Sequence, residues 1–240
     1  MNVLTRLWDQ VYASQPAPPA WVVGVTALAA LLLVLNTASW RLAGKVITIA
    51  HEGGHALVSV LSGRRLEGIR LHTDSSGVTY SRGKRRGPGM VLTAAAGYVT
   101  PPLLGAGAAA LLAARHPAAL LWLALVLLAA TFLAVRNAFG ALAVLVTAAG
   151  VFAVSYYASA AVQGGFAYLA AWFLLLGGMR PALELTRRRR GSRSRSSSRS
   201  GLSDADQLAR LTGVSRGLWV AAFLLICTAA LALGARLLIP

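Results

Sequence analysis

The sequence predicts an all-α polytopic membrane protein of about six to seven transmembrane helices, with a small β-hairpin between the second and the third. Of its 240 residues, 57% are hydrophobic and 12% charged, a far more apolar balance than an ordinary globular domain shows. Apolar runs long enough to cross a hydrocarbon core, which takes about 20 helical residues, recur at 20–40, 42–61, 90–114, 118–135, 138–154, 160–178 and 218–237. The second run contains His51-Glu52-Gly53-Gly54-His55, a polar cluster where a spanning helix would otherwise bury only hydrocarbon.

Taken in order, residues 1–19 carry Trp8, Asp9 and Gln10 where a cleaved secretory signal needs an apolar run. This stretch reads as a cytoplasmic amino-terminal segment, with the first span retained and a membrane core over 20–182. Inside the core, Ile69 to His72 and Val78 to Ser81 flank a Gly-containing turn, which predicts a hairpin over 68–83. Such a hairpin either ties two helices together or offers an edge that an extended peptide joins as a further strand. In the third run, Gly97-Tyr98-Val99-Thr100-Pro101-Pro102 is expected to break or kink the helix, because each proline removes a backbone donor. Broken helices in lipid tend to line cavities. Arg136-Asn137 separates the fourth and fifth runs, as an interfacial anchor or as a polar pair reaching inward, and Asn137 is a candidate substrate contact.

Residues 183–202 read as an Arg/Ser-rich disordered linker, since the stretch cannot bury enough apolar surface to fold. Residues 203–240 read as a short helix followed by the last span, with Ser203 as its cap and Asp204 and Asp206 at its positive end. Cys227 is the only cysteine, which excludes an intramolecular disulfide and a multi-cysteine zinc site; it reads as a packed or lipid-facing small residue.

The net charge of +16 is concentrated in two places, Arg82 to Arg86 and Arg180 to Arg199. Four predicted spans separate them, so both fall on one side, which the positive-inside rule makes cytoplasmic. Anionic lipid headgroups are the expected partners of these basic loops. Nucleic acid is not, because no aromatic residues interleave with the arginines. A composition rich in Ala, Arg and Gly and poor in Lys fits GC-rich bacterial coding and hence a bacterial cytoplasmic membrane.

The chemistry lies in the second run. On a helix, residues four apart share a face, so His51 and His55 present two ring nitrogens to one Zn2+, with Glu52 beside them to take a proton from water. Gly53 and Gly54 cost about 1 kcal/mol each in a helix interior and are expected to let another helix or a substrate backbone come close to the metal. A catalytic zinc takes three protein ligands and keeps one position open. Besides Glu52 the chain offers only Asp9, Glu67, Asp74, Glu184, Asp204 and Asp206, with His72 and His116 as nitrogen alternatives.

On these residues the chain resembles the site-2 protease family of intramembrane zinc metallopeptidases: the zinc signature on an early span, the hairpin after it, and a Gly/Pro-bearing third span. The family's usual later segment, Asn…Pro…Leu-Asp-Gly, has no counterpart, although Asn137-Ala138-Phe139-Gly140 is similar to its start. The chain is closer to a divergent peptidase-like branch in which Ser-Asp-Ala precedes the last span, as Ser203-Asp204-Ala205 does here. The resemblance implies His51 and His55 as ligands, Glu52 as general base and Asp204 as the first choice of third ligand, followed by Asp74 in the hairpin and Glu184 near the end of the sixth run. It further implies hydrolysis of a peptide bond in or near a transmembrane segment of a membrane-protein substrate. The competing expectation is a non-catalytic protein of the same fold that binds or presents a client segment. A transporter is disfavoured, since the spans show no internal repeat.

Overall fold

The computed structural model describes residues 13–191 and 203–239. Expectations for 1–12 and for the linker over 192–202 lie outside the described residues. The element order is α1 (Ala20–Leu35), α2 (Thr37–Leu61), β1 (Arg65–Leu71), β2 (Gly77–Arg82), α3 (Pro88–Ala113), α4 (Pro117–Ala134), α5 (Ala138–Tyr157), α6 (Ala160–Gly191), α7 (Asp204–Thr212) and α8 (Arg216–Leu238).

Five helices, α3, α4, α5, α6 and α8, are each long and apolar enough to cross a membrane; α1 and α2 pass that test only together, as a pair bent by 101°. Six spans at most therefore replace the seven apolar runs among the described residues. The reason is local. The 16 residues of α1 rise about 24 Å, short of a hydrocarbon core of about 30 Å. Asn36 then ends α1 and starts α2, its side chain accepting from the amides of Ala38 and Ser39. The division falls at Asn36, not between Trp40 and Leu42.

Arg180 fastens this bend. It is a residue of α6, not of a basic loop: its guanidinium donates to the carbonyl oxygen of Val34 and lies 4.6 Å from the centre of the Trp40 ring. The helix continues to Gly191, past the position 183 where the sequence suggests a linker, because Arg, Leu, Glu and Ala are good helix formers. Arg180 and Glu184 also pair at 3.3 Å one turn apart.

The described part of the amino-terminal segment packs on the helical core. The Gln15 amide donates to Arg115 O at 2.9 Å, and Pro16 to Pro19 lie beside Leu112 and Ala160. Residues 15–19 thus sit at the carboxyl end of α3, opposite the basic loop that precedes its amino end.

The expected break in α3 is absent. Pro101 and Pro102 lie inside one helix, buried against α6, where a Cβ on Gly178 would stand 2.7 Å from Pro102 Cδ. Small residues permit such close backbone approach in lipid, where packing drives helix association. Pro102 cannot donate to Tyr98 O. The thiol of Cys227, fully buried on α8, supplies a weak donor 3.9 Å from that oxygen and 3.8 Å from Gly178 O. Between α5 and α6 the buried amide of Gln163 donates to Ser155 O and Ala158 O, each at 3.1 Å, closing the turn.

The hairpin pairs β1 and β2 antiparallel, with Ile69 opposite Thr79 and Leu71 opposite Gly77 and an irregularity between Leu66 and Gly68. Ile69 and Leu71 pack on Ile49, Leu128 and Val144. The outer edge of β1 is already covered by the chain between α4 and α5: Ile69 bridges Val135, Arg136 N donates to Ile69 O at 2.8 Å, and Asn137 exchanges two hydrogen bonds with Leu71, at 2.7 and 3.1 Å. Of the two hairpin edges, then, only that of β2 has no neighbouring strand among the described residues.

Candidate metal centre

His51 and His55 project from one face of α2 toward α3. The Nδ1–H of His55 donates to the carbonyl oxygen of Thr93 at 2.6 Å, which fixes the tautomer and leaves the Nε2 lone pair facing inward. The His51 ring is braced edge-on by Tyr98, at 4.9 Å between centres, and Tyr98 in turn stacks on Phe223 at 5.0 Å.

The third group arrives from α7. Ser203 and Asp206 form a capping box at the start of this helix, a local signal that sets where it begins. Ala205 and Leu208, on its apolar face, are fully buried among Ala94 of α3, Ala182 and Leu185 of α6, and Val220 and Phe223 of α8. Arg216 holds the polar face, pairing with Asp206 at 3.0 Å and donating to Leu185 O at 3.2 Å. Seated this way, α7 points its first residue, Asp204, at the two imidazoles.

Asp204 Oδ2 lies 3.1 Å from His51 Nε2 and 3.2 Å from His55 Nε2, and the two Nε2 atoms are 3.1 Å apart. Three donor atoms thus form a nearly equilateral triangle. Zinc–ligand distances of about 2.0–2.1 Å in a tetrahedral site place ligand atoms about 3.3 Å apart, close to this spacing. Oδ2 is buried without a hydrogen-bond partner, a costly state for a carboxylate oxygen that a cation among the three donors would relieve.

Space for an ion is preserved by Gly97 of α3, where a Cβ would overlap the Nε2 atoms of both His51 and His55. Gly54 has a different use. A Cβ there would overlap the Thr100 side chain, so its lack of one admits α3, the close approach of another helix that the sequence suggests. Gly53 faces Thr131 Oγ1 at an ordinary 3.5 Å from a built Cβ. Glu52 is buried, at 4% exposure, and its Oε2 accepts from Thr79 Oγ1 at 2.7 Å.

Among the described residues, His51, His55 and Asp204 are the one group of three able to hold a metal ion. The alternatives go elsewhere. Asp74 closes the hairpin turn, accepting from Ser76 N and Oγ at 3.0 and 2.6 Å. Glu184 pairs with Arg180, His72 lies in the hairpin turn against Ser76, and His116 occupies the cap position of α4. Asn137 is committed to Leu71 rather than reaching toward the metal centre. Sequence reasoning missed Thr93, Thr79 and Gly77. It noticed Gly97 and Tyr98 only as a helix-breaking run, although a glycine facing a His-Glu-x-x-His helix is a spatial signal once the two helices are paired.

A family model for M50B-like peptidases matches residues 24–234, which takes in α2, the hairpin and α7 together. The chain belongs to the peptidase M50B-like family. It is accordingly a member of the site-2 protease family of membrane metallopeptidases and a multi-pass membrane protein. No curated protein and no solved structure matches it. Within this M50B-like chain the donor set of two imidazoles and one carboxylate suits zinc, the metal on which the family depends.

Proposed function

We propose that this chain is an intramembrane zinc metalloprotease that hydrolyses a peptide bond in or near a transmembrane segment of a membrane-protein substrate. The observation that carries the reading is the convergence of Asp204 on the two histidines of the helix that also carries the buried Glu52, in a chain of this family. The two imidazoles and the Asp204 carboxylate would hold the ion and leave one coordination position open. Zinc bound there supplies Lewis acidity, acidifying a water and polarising a carbonyl.

The chain's own groups do the rest. Glu52 takes the proton from the attacking water and passes it to the leaving amine. Thr93, through Nδ1 of His55, keeps that ring in the tautomer that coordinates. A substrate helix satisfies its own amides and must unwind before cleavage; the outer edge of β2 offers the main-chain hydrogen bonds that offset this cost. Arg64, Arg65, Lys84, Arg85 and Arg86, gathered at the base of the hairpin, suit anionic lipid headgroups on the cytoplasmic face of a bacterial membrane.

The test is Glu52→Gln in purified, zinc-loaded protein, with a fluorophore–quencher reporter peptide consisting of one apolar span interrupted by Asn-Pro-Gly. Wild type cleaves it in a zinc-dependent manner, while the variant retains zinc and loses cleavage. A zinc-loaded wild type that does not cleave overturns the reading and leaves the client-binding role as its replacement, and cleavage that survives in the variant removes Glu52 as the general base.

A further inference from the structure

Two residues of β2 converge on one carboxyl group. Gly77 and Thr79 are two apart and so project from the same face of the strand, and both meet Glu52. A Cβ on Gly77 would stand 2.5 Å from Glu52 Cγ and 2.7 Å from Oε1. Thr79 Oγ1 lies 2.7 Å from Oε2 and 3.1 Å from the Glu52 carbonyl oxygen. The hydroxyl has one proton to give, and the shorter contact goes to the charged acceptor, where a hydrogen bond is strongest.

We propose that Thr79 is a positioning residue for Glu52: its hydroxyl anchors Oε2 and so reserves Oε1, the oxygen lying over the bare backbone of Gly77, for the proton taken from water. The inference rests on the proposed role of Glu52 as general base. An unanchored carboxylate rotates about its terminal torsion and presents either oxygen, because such sp³–sp² torsions are broad; a carboxylate tied at one oxygen to a strand presents one. A second consequence concerns the substrate. β2 is the hairpin strand whose outer edge has no neighbouring strand, so a peptide paired along it and the base that acts on it share one rigid support. Register along β2 then sets which amide lies opposite Oε1, and small misplacements of reacting groups cost about 100-fold in rate.

The competing account makes the Thr79 hydrogen bond a tie between β2 and α2 with no bearing on the chemistry. Thr79→Val removes the hydroxyl and keeps the branched shape; Thr79→Ser keeps the hydroxyl. Two readouts separate the accounts. In zinc-loaded protein with the reporter peptide described above, Thr79→Val is expected to keep its zinc, to hold KM within about twofold and to lose roughly 10- to 100-fold in kcat, while Thr79→Ser recovers most of the rate. In metal-free protein, the infrared carboxylate band that disappears in Glu52→Gln is expected to shift in Thr79→Val and to return to its place in Thr79→Ser.

An unshifted band, an unchanged kcat, a loss explained by lost zinc, or a serine variant as impaired as the valine variant each overturns the role of Thr79. The two proposals fail separately. A zinc-loaded wild type that does not cleave removes the protease reading itself, whereas loss in Glu52→Gln with none in Thr79→Val removes only the positioning role.

Discussion

Gly97 faces Nε2 of His55 so closely that a single methyl group on it would overlap the ring nitrogen. Gly97→Ala is therefore expected to displace the two rings and reduce zinc content at least tenfold. Alanine is worth about 1 kcal/mol more than glycine in a helix, but the overlap with both rings persists without metal and costs about 1–3 kcal/mol, so thermal stability of the metal-free variant should hold or fall modestly. Metal analysis beside a melting curve checks both halves; a variant that binds zinc normally would show that the ion does not sit where the three donors converge.

Replacing Asp204 with alanine should lower zinc affinity far more than replacing Asp74 or Glu184. Only Asp204 brings an oxygen within 3.2 Å of both Nε2 atoms. Loss of Glu184 removes an exposed i,i+4 pair worth about 0.3–0.5 kcal/mol. Competitive titration with a zinc chelator on the three variants measures the ranking.

Asn137→Ala should release the edge of β1. Two hydrogen bonds to Leu71 are lost, at about 0.5–1.5 kcal/mol each. Amide exchange at Leu71 is expected to quicken roughly tenfold or more, with zinc content unchanged.

Cys227→Ala should cost stability only while Pro102 is present. The proline leaves Tyr98 O without its helical donor, and the thiol stands in for it. With Pro102→Ala the helix regains its own N–H, so a double-mutant cycle should show a coupling of about 0.5–1 kcal/mol between the two sites. Additive effects would mean that the thiol contributes packing alone.

The hairpin turn carries a mild pH dependence. Hydrogen bonds from Ser76 hold the Asp74 carboxyl below its usual pKa, so its stabilising effect is complete above the unfolded value, about 3.9, and fades as pH falls through the lower folded value. Exchange of the Ser76 amide should accelerate below about pH 4 and lose this dependence in Asp74→Asn.

How far the sequence spoke depended on the range of the interactions. His51, Glu52 and His55 are legible because i and i+4 spacing on one helix is local. The hairpin was legible for the same reason, from alternation about a turn. Asp204 was reachable only through family likeness, because its approach depends on α7 docking among three helices distant in sequence. The boundary between the first two runs lies at Asn36, where one side chain capping two amides outweighed continuous apolarity. Arg180 looked like a loop cation because its charge was visible and its partners, Val34 O and the Trp40 ring, were not. Pro101 and Pro102 signalled a break or a kink, and they lie within one continuous helix packed against Gly178.

The position of α7 after the Arg/Ser stretch sets an order of events during synthesis. A nascent chain that has emerged only as far as α6 has both imidazoles but no carboxylate to complete the triangle. The three-donor group is thus incomplete until translation passes residue 204, and the membrane core can insert and pack before that group is assembled within it.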